Sequence, residues 1–161
     1  QLALITWFLL DKHGLKLDKY RCVGIAIVHD IAEAYAGDTT AFASAKDRAA
    51  QEKREKEAID KLQEEWPEFT SMHDLIDEYQ RHETPEGKFV YALDKLIPII
   101  NNYLYKGRVW RKEGRTLEHM KGIKKGKIEP SPIVEEYYQE LLKILEREPN
   151  LFGKPKNEKD L

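Results

Sequence analysis

The sequence predicts an all-α protein, about six helices around one core. Three observations carry that expectation. No run shows the sustained period-two alternation of a strand. Apolar residues instead recur at helical spacing, as in Met72, Leu75, Ile76 and Tyr79, or in the pairs Ile133/Val134, Tyr137/Tyr138, Leu141/Leu142 and Ile144/Leu145. The segments are also punctuated by start and stop residues: Asp18, Thr84-Pro85 and Ser131-Pro132 as starts, Gly14 and Gly37 as ends.

In chain order, Leu2 to Leu10 belong to a helix stopped by Lys12-His13-Gly14, where His13 is most simply a solvated helix-end residue. Asp18 caps a second helix predicted from about Lys19 to Ala36 and closed by Gly37. Ser44 and Asp47 form a weak capping box for a long helix reaching about Trp66. Its first half is dense in Lys, Arg and Glu, and its second half carries Ala58, Ile59, Leu62 and Trp66 as core. Pro67 interrupts, and Thr70 or Ser71 restarts the pattern. Thr84-Pro85-Glu86 opens the next helix with a capping hydroxyl, a proline at the first helical position and an acid near the dipole. From Lys106 to Lys127 the chain is basic and punctuated by Gly107, Gly114, Gly122 and Gly126, which predicts loops and short helical turns. Such a segment either draws in an anionic substrate or serves as a solvated connector, with Trp110, Leu117 and Met120 pinning it to the body. The final helix starts at Ser131-Pro132 and ends by Pro149, leaving a polar tail from Gly153.

Composition narrows the classes. With 161 residues, 41% hydrophobic and 35% charged, the chain is long enough for one domain with a substantial core. A net charge of −2 argues against nucleic acid as a partner. The single cysteine, Cys22, excludes an internal disulfide, fits a reducing, cytoplasmic setting and reads as a small packed residue. The apolar stretch Leu2 to Leu10 is too short to span a bilayer and has no charged leader, so neither a membrane segment nor a signal peptide is expected.

One stretch looks costly for a plain helix. His29-Asp30-Ile31-Ala32-Glu33 has apolar neighbours on every side, and three ionisable groups in a buried helix need a ligand or partners. Glu33 lies one helical turn after His29, and Asp38 one turn further, past the glycine. Asp94 is a second carboxylate in an apolar run, with Pro98 four residues later removing the hydrogen bond to its carbonyl and predicting a kink. A site carboxylate is favoured there over a surface pair of Asp94 with Lys95 or with an arginine. One imidazole with two carboxylates suits Mn, Fe, Co, Mg or Zn. A cation so held lowers the pKa of bound water from 15.7 toward roughly 7, which fits hydrolysis of a phosphate ester. A buried ion-pair network would use the same residues. A second doublet, His73-Asp74 with Asp77 and Glu78, falls opposite the apolar stripe of its helix and is expected to be solvated.

The string Ile27-Val28-His29-Asp30-Ile31-Ala32-Glu33-Ala34-Tyr35-Ala36-Gly37-Asp38-Thr39 resembles the signature of HD-domain phosphohydrolases. With Thr84-Pro85-Glu86-Gly87-Lys88-Phe89-Val90-Tyr91-Ala92-Leu93-Asp94-Lys95 it is most similar to their 5′-deoxynucleotidase branch, the YfbR-like and HD-domain-containing-protein-2-like enzymes. The match covers roughly residues 1–105, which the resemblance makes the HD core of a helical bundle; 106–161 would be a basic connector plus a C-terminal helix packed on the same domain. It implies hydrolysis of (deoxy)ribonucleoside 5′-monophosphates with a divalent cation, commonly by a homodimer. It further implies His29, Asp30 and Asp94 as metal ligands, Glu33 as the acid/base or positioning carboxylate, and Asp38 with Thr39 at the substrate. Alternatives on the same scaffold are hydrolysis of dNTPs or another phosphoester, and a non-catalytic nucleotide-binding module. The family's first metal histidine would fall at or just before Gln1, so the expectation is that a preceding segment is missing from this sequence; His13, in a turn, does not replace it. Glu83 is either another pocket acid or, more simply, a solvated helix-end residue.

Overall fold

Side-chain caps set several helix boundaries where the sequence placed them. The computed structural model of the chain describes residues 1–37 and 45–153. All regular structure among them is helical, as nine α-helices and one 3₁₀ turn. The all-α expectation holds. The count exceeds about six because short helices, expected as turns or as parts of longer ones, stand separately.

Two compact units divide the chain, Gln1–Val90 and Tyr91–Leu161. In the first, α1 (Leu2–His13) ends at Gly14 and α2 (Lys19–Val28) begins at Asp18, whose carboxylate accepts from the Arg21 amide. Helices α1 and α2 pack together, as do α2 and α5 (Thr70–Arg81). Gly24 permits the second approach, since a Cβ there would lie 2.9 Å from Leu75 Cδ1. A small core of Val28, Ala32, Ala58, Leu62, Met72 and Ile76 joins α2 and α5 to α4 (Ala45–Glu65).

The helix expected over Lys19–Ala36 is broken. It stops at Val28, and a four-residue helix, α3 (Glu33–Ala36), follows after a tight turn. Across that turn the amides of Ile31, Glu33, Ala34 and Tyr35 donate to carbonyls three residues back instead of four. This is 3₁₀ bonding, which winds the chain more tightly and turns successive side chains through a different angle. Gly37 then ends α3 at φ 72°, a conformation that glycine adopts without a Cβ penalty.

Polar ties position α2. Glu78, expected to be solvated, is buried: Arg21 pairs with its Oε2 and the Thr84 hydroxyl donates to its Oε1. Thr84 also caps α6 (Pro85–Leu104) by accepting from the Gly87 amide at 3.0 Å, while the Asp18 amide donates to Glu86 Oε1 at 3.1 Å. Trp66, expected in the core, is half-exposed, because α4 ends at Glu65 and the chain turns away.

The second unit holds most of α6, which continues through Pro98 to Leu104. It also contains α7 (Arg108–Glu113), α8 (Leu117–Lys124) and α9 (Pro132–Glu146). Trp110 and Met120 are buried as expected, and Leu117 is half-buried. Trp110 stacks on Phe152 with ring centroids 4.9 Å apart, and the Gly153 amide donates to the Arg115 carbonyl, which fastens the chain after α9 onto α7.

Candidate metal centre

His29 closes α2 as its C-terminal cap residue, just before the tight turn. Its Nδ1 lies 3.1 Å from the Ala26 carbonyl, which can only accept, so Nδ1 carries the hydrogen and Nε2 is the nitrogen left to face a cation. The Tyr79 ring of α5 stands edge-on to the imidazole at 5.6 Å. Ring orientation and tautomer are therefore set by the protein, the arrangement that metal-ligating histidines use.

Nε2 faces Asp30 Oδ2 at 2.9 Å. A nitrogen lone pair and a carboxylate oxygen at that distance repel unless a proton or a cation lies between them. On α6, Asp94 Oδ2 is 2.6 Å from the Lys95 ammonium, the pairing weighed as the alternative to a site. One ligand atom from each of His29, Asp30 and Asp94 lies within 4.8 Å of the other two. Ligand bonds of about 2.0–2.2 Å span such a triangle after small side-chain adjustments. The donor set therefore fits a divalent cation.

Other predicted positions fall as follows. Glu33, half-buried, is the first residue of α3 and is not one of the clustered three. Asp38, Thr39 and Ser44 lie outside the described residues. The doublet is less enclosed than expected: His29 is mostly covered, but Asp30 is exposed, as are Ile27 and Tyr35 beside it. Ile27 faces outward from α2 itself, and Asp30 and Tyr35 are exposed in and beyond the tight turn.

Three contributors escaped the sequence analysis. Gln51 is buried and donates to the Gly37 carbonyl at 2.7 Å and to Glu55 at 2.8 Å, while Arg54 Nε donates to the Ala36 carbonyl at 3.2 Å. The charge-dense half of α4 thus holds the end of α3, and only the i, i+3, i+4 spacing of Gln51, Arg54 and Glu55 hinted at it. The third is Lys124, a buried lysine in the basic run whose pKa falls to about 8. Burial is the main cause, Lys95 and Lys127 add repulsion, and Asp94 opposes them.

A family profile described as HD domain matches residues 1–135, and the chain belongs to that family. Among curated relatives, it is 39% identical over 95 residues to the 5′-deoxynucleotidase HDDC2 of Xenopus laevis, covering 56% of this chain and 46% of that one. The Bos taurus protein of the same name is 36% identical over 107 residues, covering 65% and 49%. The chain thus spans about half the length of the curated relatives it matches. A crystal structure of a predicted metal-dependent phosphohydrolase from Magnetospirillum magnetotacticum MS-1 superposes with a TM-score of 0.78 at 28% identity, covering 94% of this chain and 76% of that one. No helix among the described residues is long and apolar enough to cross a membrane.

Proposed function

We propose that the protein is a metal-dependent phosphohydrolase that releases phosphate from nucleoside 5′-monophosphates, deoxy forms preferred. His29, Asp30 and Asp94 are its protein ligands to a divalent cation, one of Co, Mn, Mg, Fe or Zn. The observation that carries this reading is the convergence of one oriented imidazole and two carboxylates within 4.8 Å. The relatives, named 5′-deoxynucleotidase and predicted metal-dependent phosphohydrolase, favour the same chemistry.

When bound, the cation supplies Lewis-acid polarisation and an activated water. The chain's own groups do the rest. The Ala26 carbonyl keeps the His29 proton on Nδ1, so Nε2 is the nitrogen turned to the cation. Glu33 moves the proton of the attacking water or positions it, a role worth about 10²–10⁴ in rate. Asp38 and Thr39 contact the substrate, and Gln51 and Arg54 brace the carbonyls just before them. In this reading residues 1–105 are the catalytic core, 106–161 form an accessory segment on the same domain, and the protein works as a cytoplasmic homodimer.

The test is metal analysis of the purified protein with a deoxynucleotide panel, the products separated as phosphate or triphosphate. Release of phosphate from monophosphates upholds the reading, and triphosphate from dNTPs moves the substrate class. Stable nucleotide binding without turnover in metal-loaded protein reduces the chain to a binding module. Sedimentation at micromolar concentration tests the dimer.

A further inference from the structure

Among the described residues, Lys124 is charged chemistry without a partner. It ends α8 with only 8% of its surface exposed. Among the described residues no carboxylate stands within ion-pair distance of its ammonium, and no hydrogen bond holds it. Its charged neighbours are Lys95, Lys127 and Asp94, three lysines in all to one acid. That acid is already paired with Lys95 at 2.6 Å. A buried cation in a positively charged setting is expensive unless an anion joins it. Lysines kept only as surface charge, such as Lys61 or Lys143, pair with a glutamate one turn away and cost nothing.

We propose that Lys124, with Lys95 beside it, anchors the phosphate group of the substrate next to Asp94, and holds the inorganic phosphate product in the same place. The inference rests on the phosphohydrolase reading for the identity of the substrate, but not for the existence of the anion site. Lys124 would act as a point charge on the phosphate oxygens. Its task is to seat the phosphate, which separates it from Glu33 in kinetics.

The experiment uses the full chain and two variants, Lys124→Met and Lys124→Arg. Methionine keeps much of the buried stem and removes a buried charge, so the fold should survive, and thermal unfolding without phosphate checks this. In wild-type protein stripped of metal, inorganic phosphate should raise the Tm relative to chloride at equal ionic strength; Lys124→Met should lose most of that rise and Lys124→Arg retain part of it. With metal restored and a deoxynucleoside monophosphate as substrate, Lys124→Met should raise KM about ten- to hundredfold, the range expected for a hydrogen bond to a charged group, with a smaller change in kcat. Inhibition by the unphosphorylated deoxynucleoside should be unchanged. An unaltered phosphate-induced Tm rise and unaltered KM in Lys124→Met would overturn the anchor while leaving the hydrolase reading intact. A Lys124-dependent phosphate effect in a protein that hydrolyses no nucleotide would keep the anion site and discard the nucleotidase.

Discussion

His29-Asp30 at the end of α2 and His73-Asp74 on α5 are the same two letters beside helices that pack together, and they differ in what each ring nitrogen meets. His29 gives its Nδ1 hydrogen to a carbonyl of its own helix and turns Nε2 toward Asp30, with Asp94 close by. His73 uses Nε2 differently, at 2.8 Å from the Trp66 carbonyl, where it ties α5 to the end of α4. Among the described residues its Nδ1 is buried without a hydrogen-bond partner, Asp74 is exposed, and Arg81 donates to Asp77. A His-Asp doublet becomes a ligand pair only when backbone bonding takes the other nitrogen and a further carboxylate converges from elsewhere. His73 meets the first condition through the Trp66 carbonyl, but among the described residues no further carboxylate converges on its doublet, and it serves the fold instead.

Substitution should separate the two doublets sharply. His29→Ala should abolish nucleotide turnover and weaken cation binding by more than the about 10–100-fold typical of losing an outer partner, read by metal analysis after dialysis. Equal metal content in His29→Ala and wild type would collapse the distinction. Glu33→Gln should cut turnover about 10²–10⁴-fold with bound metal unchanged; turnover within twofold of wild type would remove Glu33 from the mechanism.

The α5 side of the comparison predicts losses of stability, not of chemistry. Glu78→Ala should cost about 2–3 kcal/mol in urea unfolding. This is below the cost of breaking a fully buried pair, because Arg21 is half-exposed and can recover some hydration. His73→Ala should cost about 1 kcal/mol and leave metal content unaltered. If His73→Ala impaired turnover at unchanged stability, the doublets would be more alike than their surroundings indicate.

The smallest expected effect is alkaline. Burial, reinforced by Glu86, Asp18 and Glu78, pushes the Cys22 thiol from 9.0 up to about 12. The folded state therefore keeps this proton where the unfolded chain has lost it. The resulting stabilisation is complete below pH 9 and fades as pH rises toward 12. Cys22→Ala should flatten that part of the stability–pH curve, and the native thiol should resist alkylation until the protein unfolds.

Helix limits were legible where a cap has a chemical signature, as at Asp18, Gly37 and Thr84-Pro85. Periodicity found the buried stripes of α5 and α9 for the same local reason. It failed at Val28, where the helix tightens into 3₁₀ bonding inside an apolar run that carries no breaker residue. It also failed at Glu78, whose burial depends on an arginine and a threonine supplied by other segments. The ligand candidates could be picked out because His29, Asp30 and Asp94 are polar in apolar surroundings. Gln51 and Lys124 could not, because each stands among many similar polar residues and only the fold buries it.

By itself the sequence determined the helical class, most of the caps and which side chains have the chemistry to hold a cation. These follow from local propensity and residue type, which neighbours in the chain fix. Only the tertiary structure decided which of two identical doublets meets a further carboxylate, which glutamate is buried and which lysine lacks a counter-ion among the described residues. Those outcomes depend on residues tens of positions apart, whose proximity no local pattern encodes.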